Sequence, residues 1–175
     1  MQISLAQGIQ LISQLNSEIQ AKRIQRRDAS EIVFQKGESY TLTDDVDKLS
    51  DELDVLYDRV RELKVKIGQK NVETKLDIFG GELDSITLAE ALVLVQQIRN
   101  ELEACEYLAQ KNPNPQLQRA IYGGESCYSV ANFDVNKYKR LASELRKRAN
   151  RISTEIDRVN HNTMIDVSWA DEYIA

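Results

Sequence analysis

A chain of 175 residues with 29% charged side chains, seven Gly and two Pro is long enough for one domain with a substantial core. It reads as helical rather than sheet-built or disordered. A net charge of -5 disfavours nonspecific binding to nucleic acid, and no run approaches the roughly 18 apolar residues of a membrane-spanning helix.

The N-terminal stretch MQISLAQGIQ has no basic n-region of a secretion signal. Within it, Ser4-Leu-Ala-Gln7 has the form of a capping box, with a hydroxyl at the N-cap and Gln or Glu three residues on. The helix it opens carries a broad stripe of Leu5, Ile9, Ile12, Leu15 and Ile19, suited to contact with two or more neighbours. The following EIVFQKGESYTL, residues 31–42, has a β-branched and aromatic run and a turn signal at Lys36-Gly37, which predicts a short β-hairpin. A second helix then repeats apolar residues at alternating spacings of three and four: Val46, Leu49, Leu53, Leu56, Val60, Leu63 and Ile67. This is an a/d seam sustained over three heptads.

Residues 77–84, DIFGGELD, read as a turn-rich joint. Thr87-Leu-Ala-Glu90 opens a third helix with another capping box and a stripe of Leu88, Leu92, Val95, Ile98 and Leu102. Asn112-Pro-Asn-Pro115 stops it, because proline removes a donor and disfavours helical backbone before it. AIYGGESCYSV, residues 120–130, predicts a second hairpin around Gly123-Gly124. The fourth helix runs on Val135, Tyr138, Ala142, Leu145, Ala149, Ile152, Ile156 and Val159; its alanines allow a close neighbour. The fold class is therefore mainly α: helical hairpins forming a four-helix bundle or long coiled coil. Short β-hairpins in the two connectors are expected to pair into a small sheet, since a lone hairpin is marginal.

The chain also repeats itself. With an offset of 83, Leu5, Ala6, Leu11, Gln14, Glu18 and Ala21 recur as Leu88, Ala89, Leu94, Gln97, Glu101 and Ala104. With an offset of 89, Asp45, Val46, Lys48, Leu56, Arg59, Asn71 and Thr74 recur as Asp134, Val135, Lys137, Leu145, Arg148, Asn160 and Thr163. Gly37-Glu38-Ser39 between them matches Gly124-Glu125-Ser126. Fixed-offset self-similarity marks repeated units. The reading is one domain over 1–175, duplicated as about 4–77 and about 87–166.

One property separates the copies. Helix two is acidic, with Asp51 and Asp58, where helix four has Arg140 and Lys147 at the matching positions. Such charges either solvate a face or pair the two helices, within a chain or across a dimer.

No catalytic constellation emerges. His161 has no Glu three residues before it, as a di-iron bundle would require, and its counterpart in the first copy is Val72. Cys105 reads as a small buried hydrophobe, and Cys127 as an exposed thiol; the pair makes neither a disulfide framework nor a metal pair, so a reduced, cytoplasmic setting is expected. Gly123-Gly124 is too short to cradle a phosphate. No cofactor is predicted. Shared connector residues Glu38 and Glu125 are the candidates for a small molecule or metal if the hairpins converge, while the apolar seams point to a homo-oligomer as the leading reading.

Val33, Gln35, Gly37 and Glu38, then Asn71-x-x-Thr74-x-Leu76, Gly81, Leu88-Ala-Glu-Ala-Leu92, Asp134-Val135 and Asn160-x-x-Thr163 together resemble a family of small bacterial helical proteins of unknown function, some labelled septicolysin-like. The chain departs from that pattern with His161 where the family tends to have Trp, and lacks a usual Arg-Asp pair in the third helix. The resemblance implies an α-helical fold and no established activity. The label hints at a haemolysin, which the sequence does not support with an export signal or a membrane-inserting hairpin.

Overall fold

The computed structural model describes residues 1–39, 41, 45–78, 83–118 and 127–174. Four helices dominate: α1 (Leu5–Asp28), α2 (Val46–Glu73), α3 (Leu88–Ala109) and α4 (Val135–Asn162). Among the described residues six short strands accompany them: β1 (Gln2–Ser4), β2 (Lys75–Ile78), β3 (Leu83–Thr87), β4 (Gln116–Gln118), β5 (Cys127–Ser129) and β6 (Met164–Asp166). The chain divides into two compact units, Met1–Thr74 with Arg158–Ala175, and Lys75–Asp157.

Both predicted capping boxes form. Ser4 Oγ accepts from Gln7 N at 3.2 Å while Gln7 Oε1 accepts from Ser4 N at 2.8 Å. Thr87 Oγ1 accepts from Glu90 N at 3.2 Å, and Glu90 Oε2 accepts from Thr87 N at 2.7 Å. Each satisfies two amides that a helix start would otherwise leave open. The starts of α2 and α4 share another cap: Asp45 Oδ1 accepts from Asp47 N and Lys48 N at 3.0 and 3.1 Å, and Asp134 Oδ1 from Asn136 N and Lys137 N at 2.9 and 3.2 Å. Their ends agree as well, with Thr74 N donating to Lys70 O and Thr163 N to Val159 O, both at 2.9 Å.

In the first unit, α1 and α2 pack antiparallel. Early α1 meets late α2 where Gly8 lies among Ile67 and Ile165, and late α1 meets early α2 where Lys22 Nζ reaches Glu52 Oε2 at 2.6 Å and Arg26 Nη1 reaches Ser50 Oγ at 3.2 Å. The predicted seam of α2 is buried from Leu49 to Ile67, with Leu53 and Leu63 fully enclosed. The stripe of α1 is rotated from the one predicted. Ile9 is 49% exposed and Gly8 is buried, because a Cβ at Gly8 would stand only 3.2 Å from Ile165 Cδ1 and 3.3 Å from Ile67 Cδ1. In α3 the same substitution of faces occurs: Leu92 is 40% exposed and Ala91 is buried. Small residues there let a neighbour approach.

The second unit holds β2, β3, α3, the β4–β5 hairpin and α4 to Asp157. There α3 and α4 run antiparallel, with Arg99 Nη2 donating to Ser153 Oγ at 2.8 Å and Arg146 paired with Glu106. Ala142, Ala149, Ile152 and Ile156 of α4 are buried, as are Val95, Ile98 and Cys105 of α3.

The β structure departs from the sequence reading. β1 pairs antiparallel with β6 (Ile3 with Ile165, Ser4 with Met164), and β2 pairs antiparallel with β3 (Leu76 with Ile86, Lys75 with Thr87). These two strands flank the expected joint, whose residues 79–82 lie outside the described residues, and Ser85 has φ 53° beside the irregular step between Leu76 and Ile78. In the first connector the turn at Lys36-Gly37 exists, with Gly37 at φ 98° and Glu38 N donating to Gln35 O at 3.1 Å. No strand flanks it among the described residues. The second connector does form a hairpin, Gln116 opposite Ser129 and Gln118 opposite Cys127. Its first strand begins before the predicted segment, and Gly123-Gly124 lies outside the described residues.

Candidate functional site

The six residues singled out from sequence fall in different settings. Asp51, Arg140 and Lys147 are exposed and have no hydrogen-bond or ion-pair partner among the described residues. Asp58 is paired along its own helix with Arg61. Glu38 is exposed and Oε2 accepts from Gln35 N at 3.2 Å, so its carboxylate closes the connector turn. Glu125 lies outside the described residues. Among the described residues no three His, Cys, Asp or Glu side chains gather as a metal site would require. His161 is exposed in the last turn of α4. Cys105 is buried and Cys127 exposed, and neither is in a disulfide. Burial, with a contact to Glu101, raises the Cys105 thiol above its ordinary pKa, which leaves it protonated and unreactive.

The most densely connected polar cluster was not foreseen. After β6, Val167 and Ala170 are fully buried, and a 3-10 turn at Ala170–Glu172 follows. They hold Trp169 and Tyr173 against α1 and α2. The Arg59 guanidinium lies 5.0 Å from the Trp169 ring centroid and 5.5 Å from that of Tyr173. It also donates to Tyr173 Oη at 3.0 Å and Glu172 Oε2 at 2.7 Å. Trp169 Nε1 donates to Glu62 Oε2 at 2.8 Å, and Lys66 Nζ to Glu62 Oε1 at 2.6 Å. Lys66 first, and the indole second, hold the Glu62 carboxyl below its ordinary pKa. The sequence signal was one Trp and one Tyr in a short polar tail, SWADEY, which periodicity cannot weigh. Arg59, Lys66, Trp169 and Tyr173 each donate to a partner, which makes this cluster a clasp for the tail.

Two open clefts lie at the connector ends of the hairpins. One, of about 550 Å³, is lined by the end of α1 and the start of α2; the other, of about 540 Å³, by the end of α3 and residues 129–133. The first is basic, with Arg23, Arg26 and Arg27 on its wall. The second has Lys111 as its charged lining residue.

The profile of a family of unknown function, DUF6847, matches residues 13–165. The chain belongs to that family. The DUF6847 chain is also similar in fold to a solved structure, a functionally unknown conserved protein from Corynebacterium diphtheriae. The two share 20% identity, with a TM-score of 0.71 over 95% of this chain and 100% of that one. Comparison with curated proteins gives no match. These findings overturn the septicolysin-like resemblance: neither the family nor the structural neighbour bears that description. The quoted motifs are helix caps, a glycine turn and apolar stripes, which recur wherever helices pack and so cannot separate one helical family from another. No described helix of the DUF6847 chain is long and apolar enough to cross a membrane.

Proposed function

We propose that this chain is a protein-interaction module that acts by self-association, the acidic face of α2 in one copy meeting the basic face of α4 in another. The observation that carries this reading is that Asp51, Arg140 and Lys147 lack a partner among the described residues of their own chain. Opposite charges left open on two long helices can set partner and register in a second copy. Val55 and Val65, each more than half exposed on α2, supply apolar contact beside the acidic residues. Nucleic acid is not an expected partner at a net charge of -5, and two unpaired thiols suit a reduced, cytoplasmic setting.

Under the same reading the molecule is a duplicated helical hairpin, one domain by descent. Support comes from the strand registers. Ile3 opposite Ile165 maps onto Ile86 opposite Leu76 when the two sequence offsets are applied, and the caps at Asp45 and Asp134 map likewise. Each repeat thereby lends its last strand to the compact unit that contains the other repeat's first strand. Sedimentation velocity at low and high salt tests the association. The account expects a dimer or larger species in dilute buffer that dissociates as salt shortens the Debye length from about 30 Å to about 3 Å; a monomer at every salt concentration would refute it.

A further inference from the structure

The basic cleft at the end of α1 is a candidate binding site, and its counterpart in the second half supplies the contrast. Arg23, Arg26 and Arg27 line it over about one turn, with Ile24 and Val46 as apolar wall and Ser50 beneath. Like charges three and four residues apart on a helix repel one another, so the grouping needs a reason. Helix-end electrostatics supply one in principle, since cations favour a helix C-terminus. Yet α3 ends without any basic residue in its last turn, and the positions equivalent to Arg23, Arg26 and Arg27 at the offset of 83 are Glu106, Ala109 and Gln110. The architecture therefore closes this end of a hairpin without arginines.

Nearby carboxylates absorb only part of the charge. Glu52 is taken by Lys22, and Asp28 by Arg27 through two bonds of 3.1 and 3.0 Å. Arg26 is half-buried and held by Ser50 Oγ at 3.2 Å, which fixes one guanidinium against the wall. Arg23 is exposed and has no partner among the described residues. The first turn of α2 adds the positive end of a 28-residue helix on the facing side, although the Asp45 cap already meets two of its amides.

We infer that this cleft binds a phosphate-bearing organic anion, its phosphate between Arg23 and Arg26 and its apolar part on Ile24 and Val46. Planar guanidinium forks match phosphate oxygens in pairs, which a lysine patch would not. The test is an NMR titration of the full chain with inorganic phosphate and with phenyl phosphate, at matched ionic strength in chloride. Expected are saturable shifts confined to residues lining the cleft, and phenyl phosphate binding several-fold tighter than phosphate. Arg23→Glu, at an exposed position, should weaken both by about tenfold or more with the spectrum otherwise unchanged. Lys64→Glu, an equal charge change at an exposed position of α2 that does not line the cleft, should leave both affinities as they were. Shifts that grow linearly without saturation, or affinities that Arg23→Glu does not alter, would overturn the assignment.

Discussion

Replacing Arg59 by Ala should loosen the C-terminal tail without unfolding the hairpin beneath it. The side chain is 19% exposed and touches four groups at once: two aromatic faces, a phenol and a carboxylate. Each cation–π contact in a partly exposed site contributes about 0.5–1 kcal/mol. The bond to Glu172, whose side chain is 57% exposed, adds about 0.2–1 kcal/mol after solvent screening. The Tyr173 hydroxyl adds roughly 1 kcal/mol. Contacts of one side chain do not add fully, so the net loss is about 2 kcal/mol. The buried Val167 and the Trp169–Glu62 bond remain, which confines the effect to the tail. Trp169 is the single Trp of the chain, so its fluorescence reports the clasp directly. Arg59→Ala should red-shift its emission, raise acrylamide quenching and lower the urea midpoint of that signal, while far-ultraviolet dichroism keeps its amplitude. Arg59→Lys should fall between, since an ammonium keeps the charge and loses the stacked fork. Unchanged emission and quenching in Arg59→Ala would refute the clasp.

Three further outcomes follow from particular contacts. The Glu62 carboxyl is held below its ordinary glutamate value by Lys66 and the Trp169 indole, so its stabilising contribution is present above about pH 4.5 and is lost as pH falls through the lower folded value. Trp169 emission should therefore change on acidification below about pH 4.5, and Glu62→Gln should flatten that response; an identical profile in the variant would contradict the assignment. Ser4→Ala and Thr87→Ala each remove a capping box and should each destabilise by about 1 kcal/mol, measured by denaturant melts. Losses under about 0.3 kcal/mol in both would show that the caps contribute little. A thiol-reactive dye should label Cys127 in the native protein and Cys105 only after denaturation, and rapid labelling of both would contradict the burial of Cys105.

Helices, caps and the seam of α2 were legible in the sequence because a 3.6-residue period repeated over many turns leaves a strong pattern. The rotation of α1 was not. Ile9 looked like a core residue by spacing, but Gly8 is buried because Ile165 and Ile67 cross there, and one of those neighbours is 157 residues away. Strands β1 and β6 span three residues each, too few for an alternating signal, and they exist because distant ends of the chain meet. In the first connector Ile32-Val33-Phe34 has strand composition, yet Val33 is 96% exposed, and Tyr40 and Leu42 of the expected second arm lie outside the described residues. β-propensity reflects packing on a neighbour more than backbone preference. Of the candidate site, the charges of α2 and α4 were readable by type, but that Asp58 is engaged by Arg61 while Asp51 is open depends on side-chain geometry. The aromatic tail carried a compositional hint and no partner, since Arg59 stands more than a hundred residues before Trp169.

Self-association through opposite helix faces is tested most directly by a charge-exchange mixture followed by sedimentation velocity at low salt. One variant carries Asp51→Arg and Asp58→Arg, the other Arg140→Glu and Lys147→Glu. The account predicts that the unaltered chain associates, that each variant alone sediments as a monomer, and that an equimolar mixture of the two variants regains the association, because the basic α2 of one then faces the acidic α4 of the other and the reverse. Combining all four substitutions in one chain should restore it. A four-fold variant that stays monomeric while the unaltered chain associates, or single-face variants that associate as well as the unaltered chain, would contradict the account.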